Sequence, residues 1–209
     1  KAFNLGHISQ SNDQDIHLSV LPFSILLEQI AGIRVALMLG AQVYVNPTIF
    51  QACMMGNFTP LHQSAVEQQP TTCVLVPELL RGWVGSYLPM NLTPPKSLRF
   101  VAVGGAHVPN GLSQSAWDLG FPVYEGYGLS ECASVVSVNH QAARKISSVG
   151  KPLPDTEIEI IEGEIVVKGP CVMSGYLNGT TVENVWHTGD LGYIDEEGFL
   201  HISGRKDNL

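Results

Sequence analysis

"TTCVLVPELLRGWVGSYLPMNLTPPKSLRFVAVGGA", residues 71–106, decides the fold class. It opens on a short apolar run, 71–77, of strand length and β-branched content, and passes through Pro77 into a helical stretch over about 77–87. After a Pro-rich connection, a second apolar run over 97–106 ends in paired glycines. Strand, helix and strand in this order imply neighbouring parallel strands with a helix laid across them.

The pattern extends in both directions. "IHLSVL" (16–21) is a strand candidate stopped by Pro22, and Ser24 to Leu39 keeps helical spacing through Ile25, Leu26, Ile30, Ile33 and Leu37, with Gly40 placed as a C-cap. "AQVYVN" is the next strand, and a helical stretch covers about 60–68. Downstream, a helix over roughly 110–119 leads into "FPVYEGYG". The expected fold is α/β, a mostly parallel sheet with flanking helices over 1–147, with ligands at the carboxyl ends of its strands. From 148 to 209 the pattern turns to period-two alternation, with turns at Glu162-Gly163 and Asp195 to Gly198. A β-rich, barrel-like subdomain follows, with the change near "SSVGKPLP".

Composition narrows the functions. The chain has 209 residues, 44% apolar and 14% charged, with 21 Gly and 13 Pro, as in a globular protein rich in turns. A net charge of −8 with only 11 Lys and Arg argues against nucleic acid as the main partner. Small anions remain admissible where backbone N–H groups or a divalent cation supply positive field. Cys53, Cys73, Cys132 and Cys171 form no CxxC and read as buried reduced thiols, which sets the expected compartment as cytoplasmic. Pro22, Glu28 and Arg34 interrupt the most apolar span, so no transmembrane segment is expected. The N-x-T sequons at Asn57, Asn91 and Asn178 carry no weight without a secretion signal.

Three clusters hold residues with chemical use. Gly104 and Gly105 in "VGGAHVP" would let a flat ligand approach the backbone, although tight-turn glycines look the same. In "YEGYGLSE" (124–131), Tyr127 suits either the core or a stacking surface, and Glu131 either a helix start or a ligand. "WHTGDLGYIDEEGFLHISGRKDN" (186–208) sets Asp190 after a Thr-Gly turn, where its carboxylate could accept both hydroxyls of a ribose, and Arg205 after a glycine at a hairpin end.

The three clusters together resemble the adenylate-forming enzymes: acyl-CoA synthetases, luciferases and adenylation domains of peptide synthetases. "GYGLSE" looks like that family's YGxTE motif, "SSVGKPLP" its SxGxPxP, "GEIVVKGPCVMSGY" its GExxxxGxxxxxGY, and the stretch at 186–208 its TGD to GRxD run. "LPFSILLE" is most similar to the long-chain fatty acyl branch. The resemblance implies a nucleotide site of Gly104, Gly105, Ala106, Glu125, Gly126, Tyr127, Gly128, Ser130, Asp190 and Arg205. Within it Tyr127 would meet the adenine, Ser130 a phosphate, and Asp190 and Arg205 the ribose side. Ser130 and Glu131 would be the catalytic pair, with Glu131 on Mg²⁺, and Asp207 would be the hinge. The implied ligands are ATP or AMP, Mg²⁺, a small-molecule carboxylic acid of fatty type, and CoA or a carrier-protein phosphopantetheine as thiol acceptor.

Some family parts lack counterparts. No Ser/Thr/Gly-rich phosphate loop is present, and the C-terminal lysine domain would begin after Asp207, so the resemblance implies a fragment inactive alone. Ile25 stands where relatives often carry an acyl-side His, and His107, His187 and His201 read as ordinary surface or core histidines. A non-catalytic adenylate-binding or interaction module is the competing reading. A dinucleotide-binding domain is disfavoured because no GxGxxG follows a first strand.

Overall fold

The computed structural model describes residues 1–177, 179 and 181–208, so the sequon residue Asn178 lies outside the described residues. The chain divides into two compact units, Ala2–Tyr124 and Glu125–Leu209 with Lys1.

In the first unit, β1 (Ile16–Ser19), β2 (Gln42–Val45), β3 (Thr72–Leu75) and β4 (Phe100–Val103) form a parallel ladder in the order β2-β1-β3-β4. The last three residues of β1, β3 and β4 are all buried, as expected of parallel strands covered on both faces. Helices α1 (Ala2–Ile8), α3 (Thr48–Met54), α4 (Thr59–Gln68), α5 (Pro77–Tyr87) and α6 (Asn110–Asp118) flank the ladder. Pro77 ends the apolar run of β3 and opens α5 at a position where its missing N–H costs nothing. Trp83 and Tyr87 of α5 meet Phe121 edge to face at ring separations of 4.9 and 5.2 Å, and all three are fully buried.

The helix expected over 24–39 takes another form: a π-helix, Glu28–Arg34, running into the short α2 (Val35–Met38). His17 lies beneath it. The buried imidazole of His17 bonds Glu28 Oε1 at 3.0 Å, and a Cβ on Gly32 would stand 2.4 Å from His17 Nε2. Glu28 and Gly32, four residues apart, thus meet the same ring.

Strand β5 (Val123–Tyr127) carries the chain from the first unit into the second. There its end pairs antiparallel with β6 (Ser137–Val138), which pairs with β7 (Lys151–Pro152). A separate antiparallel sheet of β8 (Glu157–Ile161), β9 (Glu164–Lys168), β10 (Val185–Ile194) and β11 (Leu200–Arg205) has the order β11-β10-β9-β8. Glu162 and Gly163, at φ +50° and +83°, make the two-residue turn between β8 and β9, as a type I′ hairpin requires. Residues 147 and 148 both lie inside this unit. The β6-β7 pairing and the buried Asn139, whose amide donates to the Ser148 carbonyl at 2.8 Å, tie "SSVGKPLP" itself to residues 137–139 of this unit. Cys132, Val136, Ile158, Ile165, Val167, Val172 and Leu200 form one core cluster of the unit. Among the described residues no helix is long and apolar enough to cross a membrane.

Candidate active site

The glycines around Tyr127 answer first to the chain itself. A Cβ on Gly126 would lie 3.1 Å from the Ser137 carbonyl oxygen, and one on Gly128 only 1.5 Å from that of Ser134. After Gly128 the chain makes one 3₁₀ turn, Ser130–Cys132, then passes through Ala133 and Ser134 in left-handed conformation. The N–H of Ser134 donates to Leu129 and that of Val136 to Tyr127, so the loop closes back on the strand that launched it. The buried Cys132 anchors the turn, and Ser130 is left exposed.

Glu131 is held twice by the segment 171–177. The Met173 N–H donates to its carbonyl at 2.7 Å, and the Tyr176 hydroxyl donates to its Oε1 at 2.7 Å. That bond to a carboxylate raises the Tyr176 phenol above its ordinary value, so Tyr176 remains a donor. Among the described residues no group of three or more His, Cys, Asp or Glu side chains could hold a metal ion.

Asp190 owes its aim to an irregularity in β10. His187 pairs with Val166 of β9 and Leu191 with Glu164, so residues 188–190 arch outward over Ile165. The arch removes N–H groups from the ladder, and each needs a new acceptor. Thr188 Oγ1 donates to the Ile165 carbonyl at 2.7 Å and accepts the Asp190 N–H at 3.0 Å. Gly189, at φ +72°, donates its N–H to Glu164 Oε1 at 2.9 Å.

At the top of the arch Asp190 Oδ2 accepts the Tyr127 hydroxyl at 2.5 Å, and Oδ1 accepts Arg205 Nη1 at 3.0 Å. Arg205 faces Asp190 in the β10-β11 register. Burial first, and the adjacent Asp190 second, push the Tyr127 phenol far above its ordinary value, which keeps it a donor at any physiological pH. An ionised carboxylate offers about four lone-pair sites, so Asp190 retains capacity for further donors.

The structure therefore brings Tyr127, Asp190 and Arg205 into one hydrogen-bonded cluster, with Glu131 on the turn that Tyr127 opens. Gly104, Gly105 and Ala106 belong to the first unit, after β4. There Gly105 takes φ +84°, and the Gly104 N–H donates to the Leu75 carbonyl at 3.2 Å. Asp207 stands exposed on the terminal 3₁₀ turn, Lys206–Asn208, 3.7 Å from Arg205. His107 is exposed, and His201 bonds Asp195 at 2.9 Å and the Ser147 carbonyl at 3.0 Å. Ile25 packs against the first unit's core.

Two residues that sequence reasoning passed over act here, Glu164 and Tyr176. Both sit in the quoted "GEIVVKGPCVMSGY", the signal that could have pointed to them. Glu164 is buried and also accepts Lys206 Nζ at 3.2 Å and His187 Nδ1 at 3.4 Å; these donors, with the Gly189 N–H foremost, lower its carboxyl below the ordinary value.

Comparison with known proteins follows the same lines. The family described as AMP-binding enzyme matches residues 2–177. A 2-succinylbenzoate–CoA ligase of Bacillus cereus (strain AH820) is 42% identical over 56% of this chain and 28% of its own length. O-succinylbenzoate coenzyme A synthetase from Bacillus subtilis, solved in complex with ATP and magnesium ion, superposes with a TM-score of 0.83 at 28% identity. That match covers 100% of this chain and 45% of the other. The wild-type E. coli enzyme MenE superposes with a TM-score of 0.78 at 30% identity, over 100% of this chain and 44% of its own. The chain spans less than half the length of each, and none of the three is named for a fatty acid.

Proposed function

The chain belongs to the AMP-binding enzyme family, and from that premise we propose that it forms the adenosine side of an ATP-dependent ligase joining a carboxylic acid to CoA. The observation that carries this reading is the Tyr127-Asp190-Arg205 cluster. Its carboxylate is fixed by two donors, is aimed by a built arch, and keeps lone pairs for the two hydroxyls of a ribose. Tyr127 offers its ring to the adenine while its hydroxyl stays on Asp190. Ser130, exposed on its turn, reaches a phosphate.

Glu131 is a hard oxygen donor that suits Mg²⁺, which takes one or two protein carboxylates and completes its shell from phosphate and water. Bound there, the cation would neutralise phosphate charge that Glu131 alone would repel. In the reaction the acid's carboxylate oxygen bonds the α-phosphorus of ATP and pyrophosphate leaves. The CoA thiolate then bonds the acyl carbon and AMP leaves. The residues contribute position and electrostatics rather than a covalent bond. Asp207, exposed beyond β11, is the proposed pivot between the two steps.

For the acid, the "LPFSILLE" stretch and Ile25 support a fatty acid, whereas the names of the relatives support a succinylbenzoate. An acid panel with the full gene product carrying this chain, scored by acid-dependent pyrophosphate exchange and CoA-dependent AMP release, decides between them. Exchange with one acid class, abolished by Asp190→Ala, is the expected result. AMP binding without turnover on any acid would support a non-catalytic adenylate-binding module, and absence of AMP binding at millimolar concentration would sink both. We expect the 209-residue chain alone to give no exchange at the rate of the full product.

A further inference from the structure

Glu164 has more contacts than a hairpin residue needs. It begins β9 with its side chain buried, opposite Leu191, where the β10 arch rejoins the ladder. Oε1 takes the Gly189 N–H, which the arch has removed from the sheet, and Oε2 takes Lys206 Nζ from the segment after β11. One carboxylate thus touches the residue before the ribose acid and the residue before the proposed pivot.

We propose that Glu164 is a positioning residue: it holds Asp190 in the orientation that receives a ribose and ties that orientation to the Lys206-Asp207 segment. The inference rests on the adenosine reading above. Without an acceptor at 164 the Gly189 N–H would be orphaned beneath the arch. The turn at φ +72° would then relax toward water, taking the Asp190 carboxylate with it. Glu reaches both partners with one oxygen each. Gln keeps an acceptor for Gly189 but would turn an NH₂ toward the Lys206 ammonium, which has no acceptor to offer it.

The test compares AMP with 2′,3′-dideoxy-AMP by calorimetry on the full gene product, in wild type, Asp190→Ala, Glu164→Ala and Glu164→Gln. The wild type prefers AMP, Asp190→Ala loses that preference, and Glu164→Ala reduces it roughly ten-fold, as loss of a charge-assisted bond implies, with dideoxy-AMP affinity unchanged. Glu164→Gln retains the preference within about two-fold. Tryptic cleavage after Arg205 and Lys206, followed by mass spectrometry, reads the second half: AMP slows it in wild type but not in Glu164→Gln. Absence of a preference in wild type, or its survival in Asp190→Ala, overturns the adenosine reading itself. With that reading intact, an unchanged preference in Glu164→Ala overturns the positioning role. Undiminished protection in Glu164→Gln, or no protection in wild type, overturns the tie to the hinge. Should Glu164→Ala fail to fold, Glu164→Leu, which fills the space without an acceptor, takes its place with the same expected loss, and an unchanged preference there overturns the positioning role.

Discussion

In the proposed site Tyr127 would do two jobs, its ring toward the adenine and its hydroxyl on Asp190, and a single substitution separates them. Tyr127→Phe keeps the ring and removes the donor to Asp190 Oδ2. Loss of one hydrogen bond is expected to weaken AMP binding about three- to ten-fold, since such bonds contribute about 0.5–1.5 kcal/mol. Calorimetry would read the change, and unaltered affinity would show that the hydroxyl does not help orient the acid. The pairing itself was beyond the reach of sequence pattern. Tyr127 and Asp190 are joined only by the folding of β10 back to β5, and nothing in alternation or spacing announces it. The family resemblance named both residues without linking them. Glu164 was hidden for a different reason, because a Glu beside a hairpin turn reads as a solvated side chain until the arch above it is known.

Among the elements, the turns separate glycines required by contact from those required by conformation. Gly128→Ala would drive a methyl into the Ser134 carbonyl, and we expect a loss of more than about 3 kcal/mol, in the range reserved for backbone collisions. Gly163→Ala meets nothing within 4 Å but must hold φ +83°, so the expected cost is about 1–2 kcal/mol. Urea midpoints for the two variants would rank them, and equal midpoints would refute the distinction. The strands of the first unit and helices α4, α5 and α6 were legible because Pro22, Pro47 and Pro77 mark borders and apolar runs show their type, whereas α1 and α3 went unread. The π-helix was not legible. Ile25, Leu26, Ile30, Ile33 and Leu37 repeat as in an ordinary α-helix, and nothing in that repeat marks the π turn or the contact of Glu28 with His17 of β1.

For the molecule as a whole, a net charge of −8 makes the placement of each acid matter to stability. Asp195 is held well below its ordinary value, by Lys145 at 2.7 Å first and His201 second. Its folded value lies under the unfolded value of about 4, so the stabilisation is complete above that pH and is withdrawn as pH falls toward the folded value. Asp195→Asn should therefore be less stable than wild type at neutral pH, and the gap should close in acid. Denaturant midpoints between about pH 7 and 2 would show it, and a gap that widened in acid would reverse the argument. The buried His17 couples two positions rather than two pH limits. The imidazole of His17 is pressed against Gly32, so a side chain at 32 would meet the ring first. An alanine at 32 would push the ring off its bonds to Glu28 and Thr72, and costs less on a background that has already lost the ring. The order in which the two mutations arise thus weighs on which evolutionary paths through this segment are open.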